Sequence, residues 1–81
     1  MIDTPEAAYV TGLIRKAEDA ILDRAFRTAV AAEIEMMRPD CRTRQYEAGK
    51  IDACVAILKG ARPKVDWLAD IRLAAEVERN L

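Results

Sequence analysis

Residues 34–58, IEMMRPDCRTRQYEAGKIDACVAIL, decide the fold. Proline disfavours helical geometry in the residue before it and cannot donate a backbone hydrogen bond, so Arg38-Pro39-Asp40 ends the helix that precedes it. Beyond the turn, Ala48, Ile51, Cys54, Val55 and Leu58 recur at helical spacing, and the pattern places a helix at 41–59 with Asp40 or Thr43 as its cap. Gly60 stops that helix, with Pro63 three residues later. A strip of Gln45, Gly49, Ala53 and Ala56 on its adjacent side admits close approach of another helix. Two helices joined by a tight proline turn make an antiparallel hairpin.

Upstream, Thr4-Pro5-Glu6 combines an N-cap hydroxyl, a proline whose missing N–H costs nothing there, and an acid in the first turn. Val10, Leu13, Ile14, Ala17 and Ile21 continue at helical spacing, and Leu22, Phe26, Ala29, Val30, Ile34 and Met37 carry a second, rotated stripe. Thr11-Gly12 is the weak point, since glycine costs about 1 kcal/mol relative to alanine in a helix interior. The reading is a short helix at 5–11 and a long one at 12–38, or a single bent helix. Asp23 and Arg27 support the exposed face as an i,i+4 pair. Downstream, a last helix at 63–80 sets Trp67, Leu68, Ile71, Ala74, Val77 and Leu81 on one side. Asp66, Asp70, Glu76 and Glu78 outnumber Arg72 and Arg79 on the other. The predicted fold class is all-α: an antiparallel helical hairpin with a short N-terminal helix and a C-terminal helix, in one domain spanning 1–81.

A domain of 81 residues hides only about 60% of the surface its unfolded chain exposes. Much of its 52% apolar content is alanine, with only Tyr9, Phe26, Tyr46 and Trp67 as aromatics. Alanine favours helix but buries little area, so the chain is expected to complete its core against copies of itself or a partner. Thirteen basic against 14 acidic residues give a net charge of −1, which argues against bulk nucleic-acid binding. No signal-peptide order and no apolar run near ~20 residues appears. A cytoplasmic protein without a membrane partner is expected, in the host cell if a phage encodes it.

Histidine is absent, which removes the usual general base and the commonest transition-metal ligand. Two cysteines cannot complete a four-ligand zinc site, and no phosphate-cradling glycine loop or nucleophile elbow is present. No catalytic residue, metal site or cofactor is predicted, and the chain is not expected to be an enzyme. Cys54 reads as a small core residue, whereas Cys41, near the turn, is open to pairing between chains. If both lay on one helix, thirteen steps would hold them roughly 20 Å apart, too far for a disulfide.

Arg38, Arg42, Arg44, Gln45, Tyr46 and Lys50 crowd the start of the second hairpin helix. Cations beside free helix N–H groups suit a phosphate, which makes Arg42, Arg44, Tyr46 and Lys50 candidate nucleotide-binding residues. Tyr9, near Arg15 and Lys16, offers a flat ring to a base. Trp67, with Asp66 and Asp70, is the candidate protein interface.

The order Ile34, Pro39-Asp40-Cys41-Arg42, then Lys50-Ile51-Asp52-Ala53-Cys54-Val55 resembles the hairpin of phage-encoded cyclic-nucleotide sponges, the anti-CBASS and anti-Thoeris proteins. The resemblance covers about a quarter of the chain. It implies a homo-oligomer, hexameric in relatives, that sequesters cyclic nucleotide immune signals without chemistry, with Arg42 as the carried-over ligand residue. This sequence differs in lacking the aromatic-rich segment before the hairpin. It has Ile57-Leu58-Lys59 in place of a Trp-Ala-Asn run and adds a helix after Pro63. Three functions are therefore expected in turn: an anti-defence protein sequestering a cyclic nucleotide, an anti-CRISPR-type inhibitor binding a protein effector through Trp67 and the acidic C-terminal face, or a virion assembly or structural hairpin protein.

Overall fold

Alanine-rich sequence interrupted by only one internal proline turn and one proline-containing connection resolves, among the described residues, into three helices and no strand. A computed structural model describes residues 5–81, with α1 at Pro5–Met36, α2 at Arg44–Ala61 and α3 at Trp67–Arg79. The capping role read for Thr4 lies outside the described residues. α1 and α2 pack together on either side of the proline turn as a hairpin, and α3 packs mainly on α1.

The first helix is continuous through Thr11-Gly12. The Thr11 hydroxyl donates to the Ala7 carbonyl at 2.8 Å, within the helix. Thirty-two residues of otherwise good helix formers absorb the cost of one glycine. α2 starts later than the reading of 41–59, because Cys41, Arg42 and Thr43 remain in the turn. Thr43 occupies the cap position without a side-chain capping bond, and Asp40 is held instead by Arg38. Gly60 does not end α2; the helix closes one residue later, where the Arg62 N–H donates to the Leu58 carbonyl at 2.9 Å. α3 begins at Trp67 rather than Pro63, because the Asp66 carboxylate accepts the Ala69 N–H at 3.2 Å and sets the helix start there.

The core is small. Ala25, Ala29 and Val30 of α1 meet Cys54 and Leu58 of α2 and Ile71 and Ala75 of α3, with Leu22, Phe26, Ile34, Met37, Val55, Trp67 and Ala74 packed around them. Only Leu58 and Ile71 are large and fully buried. The second stripe of α1 thus faces the core. The first one does not: every residue from Pro5 to Ile21 is exposed, so the first half of α1 projects as an arm. The molecule measures 57 × 25 × 20 Å and has a radius of gyration of 16.3 Å, against about 12 Å for a compact domain of this length. The strip of Gln45, Gly49, Ala53 and Ala56 also faces solvent, and nothing lies within 4 Å of a Cβ built on Gly49. No helix within the chain approaches it.

Candidate protein-binding groove

The turn cations are engaged mainly with their own neighbourhood. Arg38 pairs with Glu35 and Asp40, each at 3.4 Å. Asp40 first and Glu35 second hold its guanidinium above the ordinary arginine value. A raised cation contributes fully below its unfolded pKa and is lost only as pH rises through the folded one, so this pair is insensitive to pH near neutrality. Arg44 donates to the Arg38 carbonyl at 3.2 Å. Lys50 lies 3.4 Å from Glu47 and 4.8 Å from the centre of the Tyr46 ring. Glu47 is the one buried charged residue among those described, with 8% exposure, and Lys50 is the cation that offsets its desolvation. Arg42 is exposed and makes no hydrogen bond or ion pair within the described residues.

Tyr9 does not join this cluster. It sits on the arm, and the 27 helical steps from it to Met36 hold it about 40 Å from the turn. The two halves of the predicted nucleotide site are thus at opposite ends of α1. Cys41 precedes α2 and Cys54 lies buried inside it, both as free thiols. Among the described residues no group of three or more potential ligands sits together to hold a metal. No helix there is long and apolar enough to cross a membrane.

A broad, open groove of about 740 Å³ lies between α1 and α3, with Leu22 and Phe26 from α1 and Trp67, Leu73, Ala74 and Val77 from α3 as apolar walls. Trp67 anchors it: its ring meets Phe26 edge to face with centroids 6.1 Å apart, and its indole N–H donates to the Arg62 carbonyl at 3.0 Å. That bond satisfies the one polar atom of the indole and fixes the ring as a groove wall. The rim is acidic, formed by Asp19, Asp23, Asp70 and Glu78. The one lining cation, Arg62, stands 3.9 Å from Asp19.

Of the predicted interface residues, Trp67 and Asp70 therefore line the groove, while Asp66 caps α3 beside it. Leu73 was missed. It, Val77 and Leu81 repeat at steps of four one position round from the core-facing stripe, and are 66%, 56% and 97% exposed; that repeat was the available signal. Asp19 and Asp23 of α1 carried no signal, because only tertiary packing brings them beside α3. No protein-family model matches the chain, and no curated protein or solved structure matches it.

Proposed function

We propose that this protein acts by stoichiometric binding, taking an apolar segment flanked by lysine or arginine from another protein into the α1–α3 groove. The reading corresponds to a small anti-defence inhibitor that holds an effector directly. The observation that carries it is the pairing of apolar walls with an acidic rim, Leu22, Phe26, Trp67, Leu73 and Val77 beneath Asp19, Asp23, Asp70 and Glu78. Partly exposed apolar side chains there gain by burial, and acids around them favour a basic partner and its rate of encounter. Tryptophan is among the residues that most often dominate such contacts. Trp67 is the only tryptophan, so its emission reports the groove. Titration with a candidate effector is expected to shift that emission saturably, and Asp70→Lys with Glu78→Lys to abolish the shift; binding that ignores both substitutions would refute the groove.

A second reading rests on Arg42, the exposed turn cation without a partner. In an oligomer that gathers several turns, Arg42 with Arg44 would receive the phosphates of a cyclic nucleotide, as the sponge resemblance implies. Calorimetry with a panel of cyclic di- and trinucleotides tests it. Saturable heat lost in Arg42→Ala with Arg44→Ala supports a sponge, and absence of heat at micromolar protein removes it.

A further inference from the structure

No described residue covers the apolar side of the arm. Tyr9, Val10, Leu13, Ile14 and Ile21 are 68%, 53%, 48%, 53% and 57% exposed, yet Val10, Ile14, Ala17 and Ile21 follow one another at the alternating four-and-three spacing of a coiled-coil seam. At about 100° per residue, the seam is turned roughly 120° from the side of α1 that faces the core. It reaches the body of the protein at Ile21, which lines a cavity of about 310 Å³ together with Glu18 and Leu22 of α1 and with Ile57 and Ala61 at the end of α2. The seam therefore opens where α2 stops. A further helix laid along it would continue the α1–α2 packing out along the arm.

We propose that this helix is the arm of a second copy, so that two chains pair antiparallel through the first halves of α1. In the register that sets Val10 against the partner's Ile21, Ile14 meets the partner's Ala17 and Leu13 lies beside the partner's Ala20. Each large residue then faces a small or complementary one, which lets the helices approach closely. Glu6 falls beside the partner's Arg24, and symmetry repeats the attraction at the other end. The stretch is self-complementary, as an isologous interface requires. Parallel pairing sets Ala17 against Ala17, which leaves a gap in the seam, and brings no opposite charge beside Glu6.

The arm does not suit the α1–α3 groove of another copy. That groove is acid-rimmed, whereas Arg15 and Lys16 project from the side of the arm opposite its seam. Asp19, Asp23 and Phe26 face nearly away from the seam, so both grooves stay open in the dimer. The pairing thus goes beyond the groove reading and stands independently of it, with Trp67 emission reporting only the groove.

Cysteine pairing in the full chain tests the register. Val10→Cys and Ile21→Cys are introduced together in a Cys41→Ser background and oxidised mildly. Within one helix the two Cα atoms lie about 16 Å apart, beyond the roughly 7 Å that a disulfide allows; across the proposed interface they meet twice. A covalent dimer is expected from the double variant and from neither single variant. A covalent dimer from Val10→Cys alone would mean parallel pairing, and one from Val10→Cys with Leu73→Cys would mean an arm seated in the groove; either overturns the proposal. Sedimentation equilibrium is expected to give the wild type twice its 9.0 kDa chain mass. Ile14→Asp is expected to raise the dissociation constant at least tenfold while leaving helical circular dichroism unchanged. A wild type that stays at the single-chain mass at roughly millimolar concentration also overturns it.

Discussion

Single side chains divide sharply into a few that hold the fold and many that only face water. Leu58 and Ile71 have no exposed surface, and truncation of either to alanine removes buried methyl groups and leaves a cavity. Leu58→Ala is expected to lower unfolding free energy in urea by about 2–5 kcal/mol, against under about 0.5 kcal/mol for Leu81→Ala at a 97% exposed position. Gly49 gives the opposite sign. It sits inside α2 with nothing within 4 Å of a built Cβ and no positive φ, so Gly49→Ala is expected to stabilise the chain by about 0.5–1 kcal/mol. A loss of stability in the same urea experiment would show that the strip through Gly49, Ala53 and Ala56 is packed after all. These core residues were legible from the sequence because Cys54 and Leu58 on α2, and Ile71 on α3, each fall on a helically spaced apolar stripe. Burial of Glu47 was not, since a carboxylate in the first turn of a helix ordinarily faces water and here is carried inward by the close packing of α2 on α1.

Helix boundaries show where local chemistry decides and where it is overruled. Asp66 caps α3 with a hydrogen bond to Ala69, whereas Thr43 holds the equivalent position on α2 without one. Asp66→Ala is therefore expected to cost about 1 kcal/mol and Thr43→Ala close to nothing, as measured by thermal unfolding. Equal losses would contradict the capping assignment. Helix identity, the hairpin turn at Pro39 and the two stripes of α1 could all be read from periodicity. Continuity through Gly12 could not, because propensity marks a weak point without fixing whether the chain breaks there. Which stripe finds the core was equally hidden. Both are apolar and helically spaced, but α2 ends at Ala61 and reaches only as far back as the region of Ile21, so the earlier stripe is left uncovered. Amide exchange should follow that division: residues 8–16 are expected to gain protection as protein concentration rises, while residues 25–32 stay protected throughout. Concentration-independent exchange along the arm would argue against its pairing.

Taken whole, the molecule is a 57 Å rod whose core occupies only the part where three helices overlap. Two surfaces follow from that geometry, a neutral seam on the arm and an acid-rimmed groove between α1 and α3. The seam suits a copy of itself, and the groove suits a basic, apolar partner. Candidate-site legibility differed in the same way. Trp67 and Asp70 stood out by residue type, but the other wall is made by Leu22, Phe26, Asp19 and Asp23 of a helix some forty residues earlier in the chain, a juxtaposition that composition and spacing do not encode. Because the groove attracts partly through exposed charge, its affinity is expected to fall with ionic strength, as salt screens contacts beyond about 10 Å at 0.1 M. The central claim, that the groove receives an apolar and basic segment, is tested most directly by Trp67 emission during titration with a synthetic amphipathic Leu/Lys helical peptide. A saturable blue shift, weakened by salt and lost in Asp70→Lys with Glu78→Lys, is the predicted result; emission that does not move in the wild type, or moves equally in that variant, would contradict it.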